Sequence, residues 1–522
     1  MTDTKLESNM FDVQEELSKG KGQHVEAVGH ATNAEDHDEG IFQAIKSQRW
    51  AFIWSGIFDN QAGGTVISIP QFRKDFGTAY AGDYVLPAKW QSAYSGAPVA
   101  SAVIGSLGSG AIADRIGRKW TYFICYIFIF AGITLETIST TNEIFFAGKF
   151  VAGFSVGGFI TISMTYIGEI APLALRGILT AAAAIAFTIG PFIVSLIVND
   201  TGTKTDRWAY RAIFVSQYGV STLGAIFLPF MPESPWWLVG HGKMEKAARS
   251  LSRLGYDALN VEKRIALISV TLEQVKKETD GASYLECFRK SNLRRTIVSV
   301  APLSIQALCG VLFVASYSTY YQQLAGYTTK ESFTLAIIQQ VLSMLGNVVS
   351  WFLIDRVGRR DLTFWGMVTL TALLVVTGGL AVAATPAAIK GTVALLLVYC
   401  FIYNVTIGAT AYSLLTEVAT SRLRAKTASM ALALQNALFT MLAFVLPFLF
   451  NPDQANLGAK VSFIFGGLSV FCTIYLWIYQ PETAGRSYEE LDELFMKKIP
   501  ARQFKGYKTD AEMKGQQAVG RE

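Results

Sequence analysis

The sequence predicts an all-α membrane protein with twelve transmembrane helices arranged as two six-helix bundles. Three observations carry that prediction. Only 16% of the 522 residues are charged and 51% are hydrophobic, whereas soluble domains carry roughly 25% charged residues. Apolar runs recur at the length needed to cross a bilayer, about 20 helical residues, and 393–412, 428–450 and 461–479 contain no charge. Short basic loops recur at matching places in the two halves.

Residues 1–45 are rich in Asp, Glu, Gly and His and read as a disordered tail with no apolar core of a cleavable signal peptide. The first bundle, 46–231, holds runs at about 50–70, 92–113, 120–140, 144–167, 178–198 and 212–231. A polar linker, 232–294, contains helical stretches such as KMEKAARSLSRL. The second bundle, 295–480, holds runs at about 296–323, 333–354 and 362–386 followed by the three charge-free runs. Residues 481–522 form a second charged tail. GSLGSG (105–110) and GFSVGG (153–158) lie inside apolar helices with no strand before them, so they read as close helix packing rather than phosphate loops.

The chemistry of soluble enzymes is missing from this pattern. Cys125, Cys309, Cys400 and Cys472 lie in apolar runs and Cys287 in the linker, which gives neither a disulfide framework nor a metal-ligand spacing. His24, His30, His37 and His241 lie outside the runs, so a histidine proton relay has no basis. No nucleophile–base constellation or cofactor motif appears.

Basic loops orient the chain. DRIGRK (114–119), LALRG (173–177), DRVGRR (355–360) and SRLRAK (421–426) all fall on one side of twelve alternating helices, as does the Lys/Arg-rich linker. Both termini are therefore expected in the cytoplasm. The loop after the first run carries Arg73, Lys74 and Lys89 beside Asp75 and Asp83, and the sequon Asn199-Asp200-Thr201 falls on the external side.

The same loops expose an internal repeat. Asp114-Arg115-x-Gly117-Arg118-Lys119 returns 241 positions later as Asp355-Arg356-x-Gly358-Arg359-Arg360. Glu169, seven residues before Arg176, returns as Glu417, seven before Arg424. Two independent pairs with nearly one offset mean that the second half copies the first.

With YIGEIAPLALRG (166–177), PESPWWLVGHGK (232–243) and PETAGRSYEELDELF (481–495), these loops resemble the sugar porters of the major facilitator superfamily over nearly all of residues 50–495. GKFVAGFSVGG (148–158), IQALCG (305–310), YSTYYQQLAG (317–326) and EVATSRLRAKT (417–427) are most similar to the fungal α-glucoside, or maltose-type, permeases. The resemblance implies a midplane cavity between bundles that opens alternately to each side. It implies a sugar and a proton as partners, a plasma-membrane location and function as a monomer; nucleic acid has no part. Charged groups at the cytoplasmic helix ends are expected to form a gate of weak, exposed pairs across the boundary: Asp114, Arg115, Arg118, Glu169, Arg176, Glu233, Asp355, Arg356, Arg359, Glu417, Arg424 and Glu482.

Asp59 is an acid inside the first apolar run, and an ionisable side chain within a membrane is a functional hypothesis by default. By the resemblance, it takes up the proton and Lys149 in the fourth run is its basic partner. Two departures stand out: Gly56 occupies a place where α-glucoside permeases often have Glu, and Lys149 lacks the bidentate geometry of Arg. The resemblance further puts Gln306, Gln435 and Tyr412 in the sugar pocket, with Asn436 and Tyr317 as lesser candidates. Ala184, Ala307 and Leu312 stand where monosaccharide porters carry amides, which implies a wider, less polar cavity. Proton-driven import of an α-glucoside leads. A monosaccharide transporter, an exporter of a non-sugar metabolite and a sugar sensor are the alternatives.

Overall fold

A chain inside hydrocarbon must satisfy its own backbone groups, and a helix does so within one segment. Nearly every element of the computed structural model is accordingly helical. The structure describes residues 65–80, 83–170, 188–279, 284–383, 385–418, 423–484 and 488–507. The N-terminal tail, most of the first run with Asp59, the loop with Arg176, and the end of the C-terminal tail lie outside them.

The first half contains α1 (Pro70–Phe76), the antiparallel strands β1 (Thr78–Tyr80) and β2 (Asp83–Val85), then α2 (Ala88–Ile116), α3 (Arg118–Ile138) and α4 (Asn142–Ile170). It closes with α5 (Thr188–Thr201) and α6 (Trp208–Phe227). The linker folds as α7 (Pro235–Gly240), α8 (Met244–Leu254), α9 (Ala258–Thr279) and the short α10 (Tyr284–Cys287). The second half contains α11 (Lys290–Leu308), α12 (Val311–Leu324), α13 (Thr329–Val357), α14 (Arg359–Ala383), α15 (Pro386–Val405), α16 (Ile407–Val418), α17 (Arg424–Phe450) and α18 (Val461–Tyr479), followed by α19 (Tyr488–Met496). Among the described residues, ten spans are long and apolar enough to cross a membrane, and Thr188–Thr201 is a shorter apolar helix. These ten spans and the shorter helix are consistent with the twelve-helix arrangement expected; most of the first run lies outside the described residues.

Three runs expected to be continuous are interrupted. The first was expected to reach residue 70, but 65–68 form a 3-10 turn and Ile69 is extended, at φ −82° and ψ 119°. Pro70 is the cause, because proline disfavours a helical residue before it and suits the first position of a new helix. The seventh span breaks between α11 and α12 at Gly310, whose φ is +90°. The tenth breaks between α15 and α16 at Thr406, at φ −110° and ψ −105°.

Small residues set the packing of the first half. A Cβ on Gly105 would lie 1.9 Å from the Phe154 carbonyl oxygen, and one on Gly157 would lie 2.0 Å from that of Ala102. The glycine-rich stretches of α2 and α4 thus let two backbones touch. The second half is filled by one apolar cluster around Phe313, Tyr317, Phe450 and Phe465. Outward-facing Trp120, Trp208, Phe352, Trp365 and Phe471 are exposed, as a lipid-facing surface requires.

Candidate functional site

The two helix breaks in the second half meet. Gln306, in the last turn of α11, donates its Nε2 to the carbonyl oxygens of Ile407 (2.9 Å) and Gly408 (3.1 Å), just past the Thr406 break. Gln435 on α17 donates to Gln306 Oε1 at 2.7 Å. Tyr399 donates its hydroxyl to the Cys309 carbonyl at 2.6 Å, satisfying backbone that the other break sets free. Both amides are buried, while Tyr412 is 51% exposed and its side chain hydrogen-bonds Gln435. An aromatic face beside two linked amides at unwound backbone is the construction expected where a membrane helix lines a ligand cavity.

The lesser candidates separate. Tyr317 is buried against Phe450, and its hydroxyl points toward Ser95 of α2 without a hydrogen bond of good geometry. Asn436 is half-buried. Ala307 is completely enclosed, so close packing rather than open volume occupies that position. Leu312 packs against the apolar cluster, and Ala184 lies outside the described residues.

A second polar site lies in the first half. Lys149 Nζ is 3.2 Å from Glu136 Oε2, joining α4 to α3 near the end opposite the basic loops. Glu136 is 1% exposed, and the sequence reading passed over it. Its signal was an acid near the end of an apolar run, easily taken for a boundary residue.

The repeated loops form matching clusters. In the first half, Glu233 accepts the backbone N–H of Arg118 (2.8 Å), Lys119 (3.2 Å) and Ser234 (3.0 Å), so it caps the start of α3. The Arg118 guanidinium reaches Glu169 at 2.6 Å and Asp114 at 3.5 Å. In the second half, Glu482 accepts from the N–H of Arg359 (3.0 Å) and Arg360 (3.2 Å), and Arg359 reaches Glu417 at 3.2 Å. Both caps depend on glycine: Gly117 and Gly358 have φ of +99° and +96°, and a Cβ on either would lie 2.5 Å from the carboxylate. The sequence reading expected exposed pairs across the boundary. These pairs instead close within each half; Arg118, Glu169, Arg359 and Glu417 are largely buried while Asp114 is exposed, and each guanidinium also donates to a carbonyl in the last turn of the preceding helix, Ala113 of α2 and Ile354 of α13. Arg115 and Arg356 are exposed and make no ion pair among the described residues. The side chains of Asp355 and Arg424 are outside the description.

The halves touch at the other end. Arg73, 6% exposed, donates to Gln323 at 2.8 Å and lies 5.5 Å above the Tyr320 ring. Ser92 donates to the Phe444 carbonyl at 2.8 Å, Asn451 to that of Leu86 at 3.4 Å, and Thr334 to the Asn199 side chain at 3.3 Å. The protein is therefore closed at this end. Sequence reasoning missed Arg73 and Gln323 as partners; the neighbouring Asp75 made Arg73 look like one of several offsetting loop charges.

Comparison with known proteins agrees with this architecture. The family model described as "Sugar (and other) transporter" matches residues 54–495. A maltose permease of Saccharomyces cerevisiae is 30% identical over 506 residues, covering 93% of this chain and 82% of the permease. An alpha-glucosides permease of the same species is 30% identical over 510 residues, covering 93% and 84%. The inward open conformation of the xylose transporter XylE from E. coli superposes with a TM-score of 0.67 at 19% identity, over 87% of this chain and 99% of that one. At that identity the likeness is one of fold, that of the major facilitator superfamily. This multi-pass membrane protein belongs to the sugar (and other) transporter family.

Proposed function

We propose that the protein is a secondary active transporter importing an α-glucoside disaccharide, such as maltose, together with a proton. The observation that carries this reading is the linked pair Gln306–Gln435 beside half-exposed Tyr412, set at two facing helix breaks. A sugar needs donors and acceptors for its hydroxyls and an aromatic surface for its C–H face. The maltose and α-glucoside permeases among the relatives favour this substrate class.

Asp59 carries the proton in this reading and Lys149 tunes its affinity. The positive-inside bias of the loops makes the basic end cytoplasmic, with both termini there. The state described is then closed toward the outside of the plasma membrane, and the protein works as a monomer. The clusters around Arg118 and Arg359 stiffen the cytoplasmic ends so that each bundle moves as a unit. The remaining charged groups there, Arg115, Arg176, Asp355, Arg356 and Arg424, act in the gate. Neutralising Arg356 is expected to slow turnover more than it weakens sugar binding.

Uptake of labelled sugars in a transporter-deficient cell, with external pH recorded, tests the proposal. Maltose should enter with a proton. Glucose, one ring shorter, forgoes hydrogen bonds worth about 1–3 kcal/mol and should be poorer by roughly tenfold or more. Strong glucose transport without maltose competition would overturn the substrate. Failure of every sugar would favour export of a non-sugar metabolite.

A further inference from the structure

We propose that Arg360 and Arg502 form a site for the phosphate headgroup of an anionic phospholipid, at the membrane edge where α18 ends and α14 begins. Two guanidiniums meet there on one carbonyl. Arg360 donates its Nη2 to the Trp477 oxygen at 3.2 Å, and Arg502 donates its Nε to the same oxygen at 3.4 Å. Both also stand within cation–π range of the Trp477 ring, their guanidinium carbons 5.7 and 4.6 Å from its centroid. Arg360 lies in the first turn of α14, and Arg502 arrives from the 3-10 turn Ala501–Gln503 beyond α19.

The charges there do not balance. The end of a helix carries roughly half a negative charge, and two guanidiniums bring two positive ones. Neither makes an ion pair with a carboxylate among the described residues. The acids nearby are engaged: Asp361 faces Lys505 at 3.3 Å, Glu417 pairs with Arg359 at 3.2 Å, and Glu482 accepts backbone N–H groups. Like charges held this close repel unless they share an anion. A phosphate suits both, because its oxygens accept the paired N–H groups of a guanidinium fork.

The neighbouring surface identifies the source of that phosphate. Phe471, Ile474, Trp477 and Ile478 are exposed along α18, at spacings that make one stripe, and Trp365 near the start of α14 is exposed as well. Such a stripe faces acyl chains, and tryptophan beside arginine belongs at headgroup level. A lipid lays its chains along α18 and its phosphate against the guanidiniums, whereas a soluble phosphate ester leaves the stripe unused. The first half repeats the plan. Lys119, the counterpart of Arg360, donates to the Pro229 carbonyl at 2.6 Å, and Arg253 of α8 donates to that of Phe230 at 2.7 Å. There the cations take separate carbonyls and lysine has no fork, so the second-half site is the tighter one.

Native mass spectrometry of the delipidated full-length protein, titrated with dioleoyl phosphatidylglycerol or dioleoyl phosphatidylcholine, tests the site. The wild-type protein should hold one phosphatidylglycerol about 30-fold more tightly than phosphatidylcholine, and Arg502→Gln should weaken it about fivefold. Arg360→Gln with Arg502→Gln should abolish the preference at this site, while Lys246→Gln, an equal loss of charge on exposed α8, should leave it intact. Arg502 is exposed and outside the spans, so its single variant decides the matter even where the double variant does not fold. Wild-type binding by Arg502→Gln, or an equal loss in Lys246→Gln, would overturn the proposal. Displacement of the lipid by an equal concentration of glycerol 3-phosphate would also overturn it, since the site would then take soluble phosphate esters.

Discussion

Glu482→Gln should destabilise the second half by about 2–4 kcal/mol, and the structure indicates how. The Glu482 carboxylate accepts four backbone N–H groups: Arg359 (3.0 Å), Arg360 (3.2 Å), Thr483 (3.0 Å) and Ala484 (3.0 Å). Three share Oε1 and the Arg360 N–H uses Oε2. A glutamine oxygen can replace Oε1, but its NH2 must then face the Arg360 N–H. The loss is one hydrogen bond to a charged acceptor, about 1.5–3 kcal/mol, and the interaction of a negative charge with the start of α14, about 0.3–1 kcal/mol. Gly358→Ala should act in the same direction. Gly358 has φ +96° and ψ 154°, a region nearly confined to glycine, and other residues held there cost on the order of 1–3 kcal/mol. Unfolding in mixed micelles with increasing SDS measures both variants. Because the internal repeat places Glu233 over α3 in the same way, Glu233→Gln should match Glu482→Gln within a factor of about two. If Glu482→Gln and Gly358→Ala both unfold within about 0.5 kcal/mol of wild type, the carboxylate caps are not stabilising and the argument fails.

The other predictions are shorter. Arg73→Ala removes the bond to Gln323 and the contact with Tyr320, so it should raise the outward-open population; faster thiol labelling of Ser92→Cys from outside would register it, against five native cysteines that are all buried. An unchanged rate would show that Arg73 does not hold that end shut. Gln435→Ala strands the buried Gln306 Oε1, a loss of about 1–3 kcal/mol, and should raise KM for the transported sugar about 5- to 150-fold; an unchanged KM would move the pocket elsewhere. Gly157→Leu should prevent folding because its Cβ would meet the Ala102 carbonyl oxygen at 2.0 Å, whereas Gly108→Ala has nothing within 4 Å and should be silent. Folded fractions by size-exclusion chromatography decide both.

Runs of apolar residues made the spans legible, because length and the absence of charge are local properties. The repeat of Asp114–Lys119 at Asp355–Arg360 was legible for the same reason. What the runs concealed were interruptions without a change of polarity. Gly310 and Thr406 break helices through backbone angles, and nothing in the composition of 296–323 or 393–412 marks them. Partner choice was also hidden. Arg118 meets Glu169 and Glu233 across 51 and 115 positions, so a list of gate residues could name the charges but not say that they close within one bundle. Lys149 was assigned an acid in another span by resemblance, and only the glycine-mediated approach of α3 and α4 brings Glu136 to it. In the pocket, Gln306 and Gln435 were named one by one; their mutual hydrogen bond comes from the fold.

The central claim is that a proton moves with an α-glucoside through this cavity. Proteoliposomes holding an inward-directed pH gradient measure it most directly, as the ratio of internal to external labelled maltose. The wild-type protein should accumulate maltose above equilibrium, lose that accumulation when the gradient is collapsed, and only equilibrate the sugar as Asp59→Asn, since asparagine cannot carry the proton. Accumulation by Asp59→Asn equal to wild type, or a wild-type ratio indifferent to the gradient, would contradict the account.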